Sequence, residues 1–206
     1  MGPGFKRNRI GGGTLASGDR CAGLCYQWRM HRLFVAIRPP DRIRDLLLGA
    51  MGGISDARWQ TDEQLHLTLR FIGEVDRHMA VDVHAALGAV HQPPFEIAVN
   101  GLGTFDRRGQ PDTVWAGIAP HEPIKALHNK IDQAMTRVGV APDQRAFLPH
   151  ITLARLKRWS GPVRNLLEQS GGLTSPPFVV EAFALFESKL TPEGAVYSLV
   201  ERYPLG

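Results

Sequence analysis

His66–Leu67–Thr68–Leu69 and His150–Ile151–Thr152–Leu153 are two copies of one short pattern, and the fold can be read outward from them. Eight histidines and nine threonines among 206 residues would give roughly 0.35 His-x-Thr matches by chance. Requiring an apolar residue between them and leucine after them lowers that to about 0.01–0.02. In a strand, residues i and i+2 share one face and i+1 and i+3 the other. His66 and Thr68 then project together while Leu67 and Leu69 enter a core, and His150 and Thr152 do the same over Ile151 and Leu153. A polar pair on a strand backed by core is a rigid mount for reactive groups.

The segments around the motifs alternate between strand and helix patterns. Leu33–Ile37 reads as a strand stopped by Pro39–Pro40, and Asp41 caps a helix with Ile43, Leu46 and Leu47 on one stripe. Leu65–Ile72 is a strand, and Val75 to Val90 a helix. Phe95–Phe105 and Thr113–Ile118 form a hairpin pair joined by Asp106–Asp112, with Gly109 and Pro111 as turn formers. Ile124–Val138 is a second amphipathic helix. Phe147–Ala154 is a strand and Val163–Gln169 a short helix. Phe178–Phe186 and Val196–Tyr203 are two last strands around the Thr191–Gly194 turn. Hairpin-like neighbours favour an α+β fold over a purely parallel sheet, and helix followed by His-x-Thr strand in each half points to internal duplication.

Charge is unevenly placed. Residues 1–29 hold Lys6, Arg7, Arg9, Arg20 and Arg29 against Asp19 alone, which leaves 19 basic and 19 acidic residues in the rest. The net charge of +4 therefore belongs to the first 29 residues, and no global electrostatic footprint for long nucleic acid exists. That Gly-rich stretch lacks the continuous apolar segment of a secretory signal. It is expected to be a disordered extension, dispensable for folding, before a single domain over 30–206. Both cysteines, Cys21 and Cys25, lie in it, which suits a reducing cytoplasm. With His31 they fall one ligand short of a zinc site. No apolar run approaches the ~18 residues that span a bilayer.

Two imidazoles titrating near pH 6.5 can serve as one acid and one base at neutral pH. In-line displacement at phosphorus needs both, a base on the attacking side and an acid on the leaving side. The threonine hydroxyls can donate to non-bridging oxygens as their charge rises. Neither step needs a metal or cofactor, and none is expected.

The two motifs resemble those of the 2H phosphoesterases, together with Trp59, Phe71–Ile72–Gly73, Phe147–Leu148–Pro149 and Ala154–Arg155. Within that superfamily the chain looks like the RNA 2′,3′-cyclic phosphodiesterases, also called 2′-5′ RNA ligases. The resemblance runs from Met30–Phe34 to Phe186–Leu190 and Tyr203–Leu205. It implies a bilobal α+β fold: two mainly antiparallel sheets related by a pseudo-two-fold axis, helices outside, and the active cleft between the lobes. It also implies metal-independent hydrolysis of RNA 2′,3′-cyclic phosphate ends to a 2′-phosphomonoester. By position, His66, Thr68, His150 and Thr152 match the catalytic set. Arg155 matches a phosphate-binding arginine and Phe71 a nucleoside-contacting aromatic.

Both of those last residues stand five places after a histidine, so plain strand parity turns them away from it. A bulge or strand end near Ala154, and an equivalent before Phe71, must intervene. His150 is assigned as the base that activates water and His66 as the acid that protonates the departing 3′ oxygen, although the sequence accepts the reverse equally. The same machinery fits a small cyclic-phosphate nucleotide or a 2′-5′ linked oligonucleotide, including its ligation. A non-catalytic RNA-phosphate-binding module is the reading from another class, and two intact proton-transfer pairs argue against it. Lys157 and Arg158 are candidates for a local phosphate rim; Arg107–Arg108 could contact RNA but are read as a solvated turn, and Trp59 and Trp115 could stack on bases but are read as packing groups. Gly101-x-Gly103 reads as a turn or strand irregularity. A monomer is expected.

Overall fold

The computed structural model describes residues 30–192 and 194–206, so the predicted extension 1–29, with Cys21 and Cys25, lies outside the described residues. The first motif's half runs β1 (His31–Ile37), α1 (Asp41–Gly49), the short β2 (Arg58–Trp59), β3 (Leu67–Val75) and α2 (Arg77–Gly88). The second runs β4 (Phe95–Arg107), β5 (Gln110–Ala119), α3 (His121–Arg137), β6 (His150–Arg155) and α4 (Arg164–Ser170). β7 (Phe178–Val180), β8 (Ala182–Thr191) and β9 (Gly194–Pro204) close the chain.

Strand order is β7-β4-β5-β6-β3-β1-β8-β9, with β2 on the flank of β6 and each registered pair antiparallel. The α+β architecture of two antiparallel four-stranded halves is therefore the one expected. β1-α1-β3-α2 in one half repeats as β5-α3-β6-α4 in the other. The periodicity could not say how the halves meet. They share an edge, β3 against β6, where Leu67 stands opposite Ile151. The motif strands are thus direct neighbours, and their polar faces form one surface.

The core lies between this sheet and the helices. α3 buries Ile124, Leu127, Ile131 and Met135, the stripe its 3.6-residue period predicts, and α2 buries Val83 and Leu87. Asp76 caps α2 by accepting a hydrogen bond from the Met79 amide at 2.8 Å. Leu33–Ile37 is a continuous apolar run because β1 is covered on both faces. Leu33, Val35 and Ile37 join the main core, whereas Phe34 and Ala36 meet Ala184, Phe186 and Tyr197 on the cleft side. Among the described residues no helix is long and apolar enough to cross a membrane.

Several boundaries shift by a few residues from the sequence reading, and three of the differences have a clear physical reason. The β4–β5 turn shrinks from Asp106–Asp112 to Arg108–Gly109, both at positive φ (55° and 75°), which suits a two-residue hairpin. Pro111 fits inside β5 because β6 ends level with Thr113, so no strand on that side asks for its missing N–H. The expected strand over Phe147–Ala154 begins only at His150, since Pro149 cannot donate to a ladder. The run Phe178–Phe186 breaks at Glu181, because β7 pairs with β4 in one half and β8 with β1 in the other.

Candidate active site

Extending the Leu67–Ile151 register by one residue each way sets His66 opposite Thr152 and Thr68 opposite His150. The histidines are then diagonal neighbours on adjacent strands, a relation that brings side-chain origins to about 7–8 Å. All four residues line one cleft of about 410 Å³.

Two bulges complete it. β3 gains an extra residue against β1 at Leu69, where the register shifts between Val35 and Ala36. β6 gains one against β5 at Leu153, where it shifts between Val114 and Trp115. Each bulge leaves two successive residues on the core side, Leu69 with Arg70 and Leu153 with Ala154, all buried. The next residue then faces the cleft. Phe71 and Arg155 accordingly line the same pocket as the histidines, and Phe71 is 51% exposed there. The bulges occupy equivalent places, three residues after each histidine. Their carbonyls do not go unpaired: His128 donates from Nδ1 to Leu69 at 2.7 Å, and the Gln60 amide to Leu153 at 2.8 Å.

Both imidazoles are held the same way. His66 Nδ1 lies 2.7 Å from the Gln64 carbonyl and His150 Nδ1 2.8 Å from that of Leu148, in each case the residue two before the histidine. A carbonyl only accepts, so the neutral ring carries its proton on Nδ1 and keeps the Nε2 lone pair for the cleft. Gln64 is itself fixed. Its Oε1 accepts from the Thr61 amide at 3.1 Å and its Nε2 donates to Ala195 at 2.8 Å. Leu148 belongs to a segment anchored by buried Arg70, which pairs with Asp132 at 2.8 Å and Asp143 at 3.6 Å and donates to the Ala141 carbonyl.

The two rings differ in their surroundings. Phe34 and Tyr197 close on His66 at centroid distances of 4.9 and 5.1 Å. Burial there pushes its pKa down to about 4, the Gln64 hydrogen bond opposing and the charges of His150, Arg155 and Arg38 assisting. His150 meets Phe105 edge-on at 4.8 Å and Trp115 at 6.2 Å. Its pKa is also lowered, first by burial and then by Arg155, against the Leu148 hydrogen bond. Trp115 reaches this position because Gly103 has no side chain: a Cβ there would lie 2.4 Å from the indole. Arg155 is steadied by a 2.8 Å hydrogen bond from Nη1 to Thr113 Oγ1.

Sequence reasoning thus named His66, Thr68, His150, Thr152, Arg155 and Phe71, and all six converge on one cleft. It missed Gln64, Tyr197, Phe105 and Thr113. No sequence signal marked them: the feature the two histidines share, a carbonyl two residues before each, belongs to every residue type. Trp115, read as a packing group, is half-buried against a catalytic candidate. Among the described residues no group of three or more His, Cys, Asp or Glu side chains converges to hold a metal ion.

A family model described as the 2′-5′ RNA ligase superfamily matches residues 39–191. The RNA 2′,3′-cyclic phosphodiesterase of Archaeoglobus fulgidus is 31% identical over 169 residues, 81% of this chain and 96% of the relative. The crystal structure of TT0787 from Thermus thermophilus superposes with a TM-score of 0.71 at 28% identity, covering 84% of this chain and 97% of that one. LigT of E. coli, in a crystal structure complexed with 3′-AMP, gives 0.69 at 25% identity over 86% and 99% of the two chains.

Proposed function

The chain belongs to the 2′-5′ RNA ligase superfamily, and on that premise we propose that it hydrolyses RNA 2′,3′-cyclic phosphate ends to 2′-phosphomonoesters by metal-independent two-histidine catalysis. The observation that carries this reading is the matched pair of imidazoles, each with Nδ1 tied to a carbonyl, on neighbouring strands of one cleft.

The cyclic phosphate lies between the two rings. His150, on the more open side, takes a proton from water at Nε2 as the water oxygen bonds to phosphorus. The bond from phosphorus to the 3′ oxygen breaks, and His66, which enters the step as the imidazolium protonated at both nitrogens, delivers its Nε2 proton to that oxygen. Thr68, Thr152 and Arg155 donate to the non-bridging oxygens, where negative charge grows. Phe71 offers a face to the terminal nucleoside. A phosphate anion in the cleft raises the pKa of both imidazoles, countering the burial that keeps them neutral when the cleft is empty. One chain supplies every group, so a monomer suffices. A reducing cytoplasm suits residues 30–206, which have no cysteine.

The test is end-product mapping on a 2′,3′-cyclic-phosphate oligoribonucleotide in the presence of a chelator. The expected product carries a 2′-phosphate, and His66→Ala and His150→Ala each lower kcat by about 10²–10⁴. A 3′-phosphate product, dependence on added metal, or near-normal turnover by either variant overturns the mechanism. The family's ligase description favours one further reading, sealing of a 2′-5′ linkage as the reverse of cleavage. It is checked by offering the same cyclic end with a 5′-hydroxyl oligonucleotide.

A further inference from the structure

A second cleft, about 1090 Å³, opens beside the catalytic one and shares Arg155 with it. Arg107, Arg108, Lys157 and Arg158 line it too, against the single carboxylate of Asp112. Residues 30–206 carry equal numbers of basic and acidic groups, so this is a local concentration of positive charge on an otherwise neutral body. Among the described residues, none of those four side chains is paired with a carboxylate. Five cations against one carboxylate leave the cleft with an excess of positive charge that attracts a polyanion.

The cleft is built rather than incidental. Arg107 and Arg108 come from the β4–β5 hairpin, where Arg108 holds φ 55°, a conformation that asparagine or glycine adopts more readily. Lys157 and Arg158 follow β6. The two segments are tied by the Leu156 amide, which donates to the Asp112 carbonyl at 2.9 Å. The second is further pinned by the Lys157 amide to Ser160 Oγ at 2.9 Å, Ser160 Oγ to the Asp56 carbonyl at 3.1 Å, and the Gly161 amide to the Ser55 carbonyl at 2.9 Å. Trp159, in the same turn, is 69% exposed with the Lys157 ammonium 5.5 Å from its ring centre.

We propose that this second cleft binds the phosphodiester backbone of the nucleotides 5′ to the cyclic end, with Trp159 stacking on a base, so that the preferred substrate is an RNA strand rather than a mononucleotide. The inference rests on the cyclic-phosphate reading above. A 2′,3′-cyclic phosphate occupies both lower hydroxyls of the last ribose, so the strand continues only through its 5′ oxygen. From a phosphate held by Arg155, the next phosphates run into the cleft that Arg155 also lines. Alternating cations and an exposed aromatic is how single strands are held without base selection.

The experiment measures kcat/KM of the full chain on a 2′,3′-cyclic mononucleotide and on a tetranucleotide with the same end, between 50 and 200 mM salt. Wild type, R107A/R108A, K157A/R158A and W159A are compared. In parallel, fluorescence anisotropy reads binding of a labelled tetranucleotide ending in a 2′-phosphate. The wild-type plot of log kcat/KM against log salt is steeper for the tetranucleotide by about 2, from three internal phosphates at about 0.7 each. Each double variant lowers that slope by about 1 and the 50 mM value by about tenfold. Mononucleotide turnover stays within about twofold, since no phosphate of that substrate reaches the second cleft. W159A weakens the tetranucleotide by about tenfold without changing the slope, because stacking releases no counterions. Equal wild-type slopes for the two substrates, or variants that affect both substrates alike or neither, overturn the inference. Turnover of neither substrate refutes the hydrolysis reading instead. Binding then decides the cleft: weaker tetranucleotide binding by the variants supports it, and unchanged binding ends it.

Discussion

Neutral His66 should make the protein sensitive to acid in a way that a single substitution removes. Burial under Phe34 and Tyr197 holds its folded-state pKa at about 4, against 6.5 in an exposed chain. The unfolded chain binds a proton that the folded state refuses, so stability is full above pH 6.5 and falls as the pH drops. The loss is complete near pH 4. At about 1.4 kcal/mol per pH unit, the whole loss is about 3 kcal/mol, of which about 2 kcal/mol is gone by pH 5. In a domain of this size that corresponds to a Tm decrease of about 4–8 °C. Urea unfolding at pH 7.5 and pH 5.0 is measured for wild type and for His66→Asn, which has no group titrating in this window. His150, whose pKa is also lowered, and the lowered carboxylates of Asp62 and Asp143 remain in both proteins, so their contribution cancels. Wild type should lose about 2 kcal/mol more than the variant. Parallel losses, within about 0.5 kcal/mol, would refute the claim that the folded protein keeps this ring neutral.

Both histidines release their protons below the ordinary range in the empty cleft. The bell-shaped kcat/KM profile should therefore centre below about pH 6.5, and the kcat profile, with phosphate anion bound, should lie at higher pH; coincident profiles would contradict it. Arg155→Met should lower kcat by about 10²-fold with little change in Tm, and Arg155→Lys should recover part of it. Thr113→Val leaves the Arg155 charge but removes its 2.8 Å anchor, so kcat should fall by only about three- to tenfold; a loss as large as that of Arg155→Met would assign Thr113 a direct role. Arg70→Met strands Asp132 and Asp143 and should cost about 3–5 kcal/mol of unfolding free energy by urea titration. A loss under about 1 kcal/mol would show that the pair is not an anchor.

The bulges explain why two residues were harder to place than the other four. His66 and Thr68, like His150 and Thr152, stand two positions apart, and a two-residue period survives any strand that stays regular. Phe71 and Arg155 sit beyond an extra residue, Leu69 or Leu153, whose position depends on the partner strands β1 and β5. Leucine there looks like any other core residue. The same limit applies to Gln64 and Leu148. Their carbonyls matter because the chain bends just before each motif strand, and every residue type has a carbonyl.

What the sequence determined by itself was local and periodic: which faces are apolar, where proline stops a strand, and that one His-x-Thr pattern occurs twice. These follow from side-chain spacing along a single element and need no neighbour. What only the tertiary structure decided was relational. It set Leu67 opposite Ile151, so that two distant motifs share an edge. It sent β7 and β8 to different halves, although they are adjacent in the chain. It also gathered cations from a hairpin turn and a loop 50 residues further on into one cleft. Backbone pairing between remote segments sets those relations. Its energy depends on which partner strand is present, and that information is spread over the whole chain rather than written in any one stretch.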